Sequence, residues 1–369
     1  MLRKARKLGR HINVLIIEKK RELQFYQPLQ SVQPRVGCNF CAGGLSPRLT
    51  DVLDEAGLTP PDTIVQGTVE SLTIHGNWKN IELPIPEGRK LYSVFRGSRP
   101  QDRSSPYANF DAYLLEKAAE EGARIVTGDV QTIRYSDRGR PVVAYRVGPT
   151  ASALHESIEG DFLVLAAGVN GTPGMKPSSD ALSRTLQEFM PKFRAPQVRR
   201  SLICELQADE ESLQLMSGEL HFAQYGSRDI RIEMSSVIPK AEYVTVAMLG
   251  RSVDEASHSD NADLVRKFLE LPHIRRFLPG TLNLTPMCIC NPNMTVGVAR
   301  HPIGHRTAVI GDMVVSRLYK DGILSAFLTA AALVDCLLET GLDQRSLKKA
   351  YWPVIKQLRS DVWYGKCVF

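Results

Sequence analysis

The sequence is short of most features that would assign it quickly. Aromatic residues make up only 7% of the chain, and no run of lysine and arginine is interleaved with them. The electrostatic footprint of a nucleic-acid-binding surface is therefore missing, and nucleic acid is not expected as a partner. Seven cysteines, an odd number, are spread thinly over 369 residues. That spacing argues for a reducing compartment over a disulfide framework. The basic amino end carries an apolar run only at 14–17, too short for a secretory signal. One longer apolar run, 322–338, contains Asp335. An acid at a bilayer centre costs roughly 2.5–3.5 kcal/mol, so the run reads as a buried helix of a soluble, cytoplasmic protein. No internal repeat or low-complexity segment is visible.

What is present describes an ordinary folded chain: 43% hydrophobic, 23% charged, net charge +6. Its length is enough for two domains with a substantial core. The mild positive charge leaves an anionic substrate or an anionic membrane surface compatible.

The most informative stretch is 308–339, AVIGDMVVSRLYKDGILSAFLTAAALVDCLLE. A short apolar strand stops at Gly311-Asp312, a polar loop follows, and Gly322-Ile323 opens a helix that is apolar nearly all round. Such a helix belongs in a core, and its first turn offers unpaired N–H groups and the positive end of a dipole. A carboxylate beside a helix start suits a ligand with hydroxyls and electron-rich carbonyl edges. A plain strand–turn–helix is the competing reading, since Gly and Asp are common in turns.

Near the start, residues 2–10 read as the tail of a helix ending at Gly9. A buried strand at 12–17 then ends in Glu18-Lys19-Lys20. In a dinucleotide-binding unit this is the second strand, and its terminal acid holds ribose hydroxyls. The first strand and its Gly-x-Gly-x-x-Gly turn belong about 20 residues upstream of Glu18. The expectation is that the sequence given begins partway into the unit. Loss of ordinary affinity for the dinucleotide is the alternative.

The 311–323 segment resembles the last segment of FAD-dependent oxidoreductases of the p-hydroxybenzoate hydroxylase type. The turn Cys41-Ala42-Gly43-Gly44-Leu45 resembles the Cys-Gly-x-Gly-Leu turn of the geranylgeranyl reductase family. Ile238-Pro239-Lys240, followed by residues 243–250, is similar to that family's Phe-Pro-Lys segment, although the aromatic residues before the proline are absent. The Cys38/Cys41 pair has other readings, as zinc ligands with Cys288 and Cys290 or as a redox pair. A small residue packed near a cofactor is the plainest.

The resemblance implies an α/β chain, α+β overall, with a discontinuous Rossmann-like FAD domain and an inserted antiparallel-sheet substrate domain. The FAD domain would take 1–62, 108–175 and 301–345. The substrate domain would take 63–107 and 176–300, and 346–369 would form a C-terminal helix and tail. Strands are expected at 64–75, 81–85, 90–95, 124–127, 162–166, 200–206, 220–225, 229–234 and 243–249, with helices at 110–121 and 263–270. Trp352, Trp363 and Tyr364 are expected to cap the core, with membrane contact as the alternative.

In that arrangement Asp312 holds a ribityl hydroxyl, and the Gly322 and Ile323 amides face the pyrimidine edge of the isoalloxazine. Glu18 and Lys19 close the ribose site, Val130 presents its backbone to the adenine, and Ala167-Gly168 returns the chain to the adenine side. Gly311 makes the turn before the carboxylate. Cys41, Gly43 and Gly44 lie over the flavin, and Cys41 is the one candidate proton donor. Arg317 and Lys320 could set positive charge near the flavin edge. No metal ligand set is assigned. The implied activity is hydride transfer from the reduced flavin to a C=C bond of an isoprenoid or other lipid-like substrate. NADPH, ferredoxin or quinol would supply the electrons. A flavin monooxygenase or halogenase is the first alternative, and a non-catalytic remnant without FAD the second.

Overall fold

A computed structural model describes residues 1–19, 42–76, 79–97, 109–147, 154–170, 181–208, 213–214, 216, 218–226, 230–257, 259–275, 286–319 and 321–368. The chain divides into two compact units. The first gathers Met1–Glu22, Leu115–Val198 and Met294–Phe369; the second gathers Leu23–Leu114 and Arg199–Asn293. The Gly43-Gly44 turn thus falls in the second unit. Residues 176–198 and the C-terminal helices fall in the first.

The first unit is built on parallel pairs. Strand Leu15–Glu18 runs parallel to Arg124–Tyr135, with Leu15 opposite Arg124 and Glu18 opposite Thr127. Arg124–Tyr135 continues past that pairing and turns back through a hairpin onto Pro141–Val147, which pairs with Leu154–Glu159. Gly139 supplies the positive φ of the turn (+70°). Leu163–Leu165 lies parallel to Thr307–Val309, register Leu165 to Val309, and Ile303–Gly304 joins antiparallel. Short continuous apolar strands are what buried parallel pairs require. Val309 and Ala308 are fully buried, as are Leu347, Tyr351 and Ile355 from the C-terminal helices. Tyr351 donates its hydroxyl to the Val309 carbonyl at 2.6 Å, so a buried phenol pins the C-terminal helices to the strand. Burial pushes that phenol well above its ordinary pKa.

The second unit is built on a seven-stranded sheet in the order Pro286–Cys290, Leu202–Gln207, Tyr243–Leu249, Arg231–Lys240, Glu219–Gly226, Ser71–His75 and Asn80–Pro84, with a three-stranded sheet of Gly44–Leu45, Leu91–Val94 and Val65–Val69. Its pairs are antiparallel except for Ser71–His75 on Glu219–Gly226. Period-two alternation decides its faces. Leu202, Cys204, Leu206, Val244, Val246 and Met248 point to one side and pack with Val265 and Phe268 of the Asn261–Leu269 helix. The outer strand Asn80–Pro84 is exposed throughout. Glu82 and Pro84 blunt that edge against further pairing.

The fold class is the mixed α/β arrangement anticipated above, and three segments differ in detail. The strand expected over 64–75 is two, Val65–Val69 and Ser71–His75, in different sheets. Glu70 breaks it by giving its N–H to Gly218 O at 2.7 Å. The strand expected over 229–234 runs Arg231–Lys240, straight through Pro239, which is paired with Val244 next to the turn at Ala241. The proline is tolerated at the hairpin end, where one missing N–H interrupts little of the ladder. Trp363 and Tyr364 do not cap a core. They are 62% and 63% exposed on the helix Trp352–Val368.

Candidate functional site

The Thr307–Val309 strand delivers the chain to Gly311, whose φ of +64° turns it into a single helical turn, Gly311–Met313. The Gly311 amide donates to Thr329 Oγ1 at 3.0 Å. Thr329 in turn donates to the carbonyls of Ser325 and Ala326 on its own helix. One turn earlier, Ser325 Oγ accepts from the Arg317 amide and donates to the Asp321 carbonyl, both at 3.0 Å. Two fully buried hydroxyls, four residues apart on an otherwise apolar helix, therefore stitch the 311–321 loop to the first turns of Gly322–Asp335. Thr295 Oγ1 adds a third tie, donating to the Asp312 carbonyl at 2.8 Å.

These ties fix the backbone that carries the Asp312 side chain. Its Oδ1 is shut off from solvent. A Cβ placed on Gly322 would lie 3.4 Å from that oxygen and 3.3 Å from Ser316 Oγ. The carboxylate and the helix start thus share one place, as the sequence pattern requires. The N-cap residue, Asp321, sits in the left-handed region (φ +59°) and makes no side-chain cap. Its carboxylate goes to Arg317 Nη1 at 2.9 Å instead. A helix of 14 residues whose N-cap side chain is turned away keeps its first amides for an electron-rich partner. Arg317, which could set positive charge near the flavin edge, is paired with Asp321 and lies 3.5 Å from Asp361.

The helix is not buried all round. Leu324, Ser325, Thr329 and Leu333 are fully buried, whereas Phe327, Leu328 and Val334 are only half-buried. By length and composition Gly322–Thr340 is apolar enough to cross a membrane. In the fold, Asp335 and Glu339 on its exposed side pair with Lys4.

The remaining first-unit candidates also stand at the carboxyl ends of parallel strands, where open α/β sheets place their ligands. Glu18 ends its strand. Lys19 reaches Asp129 at 3.3 Å, and Arg146 reaches the same carboxylate at 3.3 Å. Val130 lies beyond the end of the Leu15–Glu18 pairing, at a bulge opposite Tyr145. Ala167-Gly168 follows Leu163–Leu165. Gly168 has φ +68° with open space where a Cβ would go, so the backbone conformation alone asks for glycine.

Gly43 and Gly44 belong to the second unit. Gly44 pairs with Ser93, and Gly43 (φ +78°) accepts from the Val94 amide at 2.9 Å. A Cβ on Gly43 would fall 1.9 Å from the Val94 carbonyl oxygen. Cys41, Cys38, Lys20 and Lys320 lie outside the described residues. Among the described residues no group of three His, Cys, Asp or Glu side chains is placed to hold a metal. Cys288 and Cys290 sit in a strand opposite Glu205 and Ile203.

Sequence reasoning missed the buried polar groups of the second unit. Lys240 is 1% exposed, with Nζ 3.4 Å from Glu205 Oε1 and 4.9 Å from the Phe95 ring centre. His75 Nε2 and His221 Nδ1 lie 3.1 Å apart on neighbouring strands, beside Glu219. With both rings neutral, one nitrogen donates and the other accepts. Burial pushes the His221 pKa down to about 4, opposed by Glu219 and reinforced by His75. Burial also lowers His75, opposed by Asn80 and Glu219.

Both histidines therefore take up protons more readily in the unfolded chain, where they titrate near 6.5. Their contribution is complete above that pH and is lost as pH falls toward 4. The expected loss is on the order of 3 kcal/mol from His221 across that window. Urea unfolding as a function of pH measures it, and His221→Phe should flatten the profile. A variant profile as steep as wild type would exclude the pair as its source.

No protein-family model matches the sequence, and no curated protein matches it. Solved structures do. A flavoprotein/dehydrogenase from Cytophaga hutchinsonii superposes with TM-score 0.66 at 16% identity, over 96% of this chain and 79% of the other. p-Nitrophenol 4-monooxygenase from Pseudomonas putida DLL-E4 gives 0.63 at 13%, over 98% and 85%. A complex of aklavinone-11 hydroxylase with FAD and aklavinone gives 0.55 at 14%, over 89% of this chain and 58% of that one. At these identities the likeness is one of fold. The chain has the fold of the FAD-binding flavoprotein oxidoreductases.

Proposed function

We propose that the chain is an FAD-dependent oxidoreductase. The observation that carries this reading is the half-buried Asp312 carboxylate, its Oδ1 closed to solvent, set against the uncapped start of the Gly322–Asp335 helix. The space at Gly322, which a side chain would fill, would accept the edge of a planar ring. Asp312 would accept a hydrogen bond from a ribityl hydroxyl, and the Gly322 and Ile323 amides would donate to the electron-rich ring edge. Glu18 would hold ribose hydroxyls. Ser325, Thr329 and Thr295 position the loop that carries Asp312. Bound FAD supplies hydride transfer or oxygen activation.

The finer reading is reduction of a C=C bond in a lipid-like substrate, and it rests on the Cys41–Leu45 and Ile238–Lys240 resemblance. Oxygen insertion is the second reading, favoured by two fold relatives named for hydroxylation or monooxygenation. Product analysis after anaerobic and aerobic turnover separates them. Saturated product without oxygen supports the first, and oxygen-dependent product the second.

FAD titration of the purified chain, followed by the flavin absorbance bands, tests the coarser reading. Asp312→Ala removes a charged acceptor worth about 1.5–3 kcal/mol. The expected loss of FAD affinity is at least about tenfold, with Asp312→Asn in between. A protein carrying the upstream Gly-x-Gly-x-x-Gly strand that takes up no FAD, or an Asp312→Ala variant that binds as wild type, overturns the reading.

A further inference from the structure

The helix Trp352–Val368 has two unlike faces. Ile355, Leu358 and Val362 are buried in the first unit's core. Gly365 sits against Leu318, where a Cβ would come within 2.9 Å of that side chain. At about 100° per residue, Lys356, Arg359, Trp363 and Lys366 fall together on the flank beside that buried stripe, and all four are exposed. Trp363 and Tyr364 stand side by side with ring centres 5.2 Å apart, at 62% and 63% exposure.

The charge on this helix is one-sided. Its only acid, Asp361, lies on the other flank of the helix from these cations and is drawn toward Arg317 at 3.5 Å. The preceding helix, Gln344–Ala350, adds exposed Arg345, Lys348 and Lys349 and no acid. An exposed Trp–Tyr pair among cations is costly in water, yet two rings are too small a patch for a stable protein interface.

We propose that this face docks on an anionic membrane surface. Trp and Tyr rings settle at the level of lipid headgroups, with an apolar body and a polar edge. Lys356, Arg359 and Lys366 share the flank with Trp363, on stems long enough to reach acidic headgroups. Each cation near such a surface strengthens binding about fivefold, without a shape-matched partner. An acidic protein would answer the charge but leave the aromatic pair unexplained.

The test is co-sedimentation of the full chain with phosphatidylcholine vesicles, with and without about a third phosphatidylserine. Expected is binding to the serine-containing vesicles only, weakened by high salt. Lys356→Glu/Arg359→Glu/Lys366→Glu and, separately, Trp363→Ala/Tyr364→Ala should each reduce binding at least about tenfold with unchanged melting. Tryptophan emission should shift to the blue on binding, and Trp363→Phe should remove most of that shift. Three results would overturn the proposal: no sedimentation with anionic vesicles, equal sedimentation of both multiple variants and wild type, or binding to heparin without binding to vesicles. None of these readouts needs a flavin, so the proposal and the oxidoreductase reading can fail separately.

Discussion

Lys240→Met is expected to destabilise the second unit by about 3–5 kcal/mol, the usual result of removing one partner from a buried ion pair. Lys240 and Glu205 are 1% and 7% exposed and face each other across the Tyr243–Leu249 strand. Glu205 Oε2 accepts from Thr245 Oγ1 at 2.6 Å, while its Oε1 lies 3.4 Å from Nζ. That ammonium distance is long for a charge-assisted bond, so the pair rests on mutual neutralisation more than on a strong hydrogen bond. The methionine would match the Lys240 stem and still lie near the Phe95 ring, leaving Glu205 with only the threonine hydroxyl. The loss is therefore electrostatic, and it should be reversible by design. Lys240→Met/Glu205→Leu removes both charges and should recover most of the stability in urea. A single variant within about 1 kcal/mol of wild type would mean that the charges reach water, contrary to their burial.

How much of this could be read in the chain depends on how local each signal is. Gly311, Asp312 and Gly322 lie within twelve residues, and the change from apolar strand to polar loop to apolar helix marks them. The juxtaposition of carboxylate and helix start was legible for that reason. Ser325 and Thr329 lie in the same stretch, but a hydroxyl in an apolar helix commonly satisfies itself on its own backbone. That these two also take the amides of Arg317 and Gly311 depends on how the loop folds back. Lys240 with Glu205, and His75 with His221, are separated by 35 and 146 positions. Each pair meets only through strand order, and no periodicity in one strand announces its neighbour. The exposure of Trp363 has the same origin. An amphipathic pattern shows that a helix has two faces, whereas Leu318 and the Val309 strand decide which face is covered.

Neighbouring glycines 43 and 44 should respond in opposite ways to alanine. At Gly43 the added Cβ would lie 1.9 Å from the Val94 carbonyl oxygen, an atom held in the sheet by the backbone, and φ is +78°. Strain of that kind costs on the order of 1–3 kcal/mol before the clash is counted. Gly43→Ala should therefore lose at least about 3 kcal/mol, among the larger single-site effects. At Gly44 the first atom met is Ile238 Cδ1 at 4.0 Å, and no positive φ is involved. Gly44→Ala should stay within about 1 kcal/mol of wild type in thermal or urea unfolding. The contrast separates two reasons for the double glycine. If close approach to the Val94 carbonyl is the whole reason, only Gly43 is constrained, and Gly44→Ala should bind FAD as wild type does. If the turn also lies over the flavin, as its likeness to the geranylgeranyl reductase turn implies, Gly44→Ala should remain folded and yet lose FAD affinity. A stable Gly43→Ala protein would contradict the packing around Val94 itself. A stable Gly44→Ala protein with unchanged FAD affinity would remove the turn from the cofactor site and leave Asp312 and the helix start to carry it.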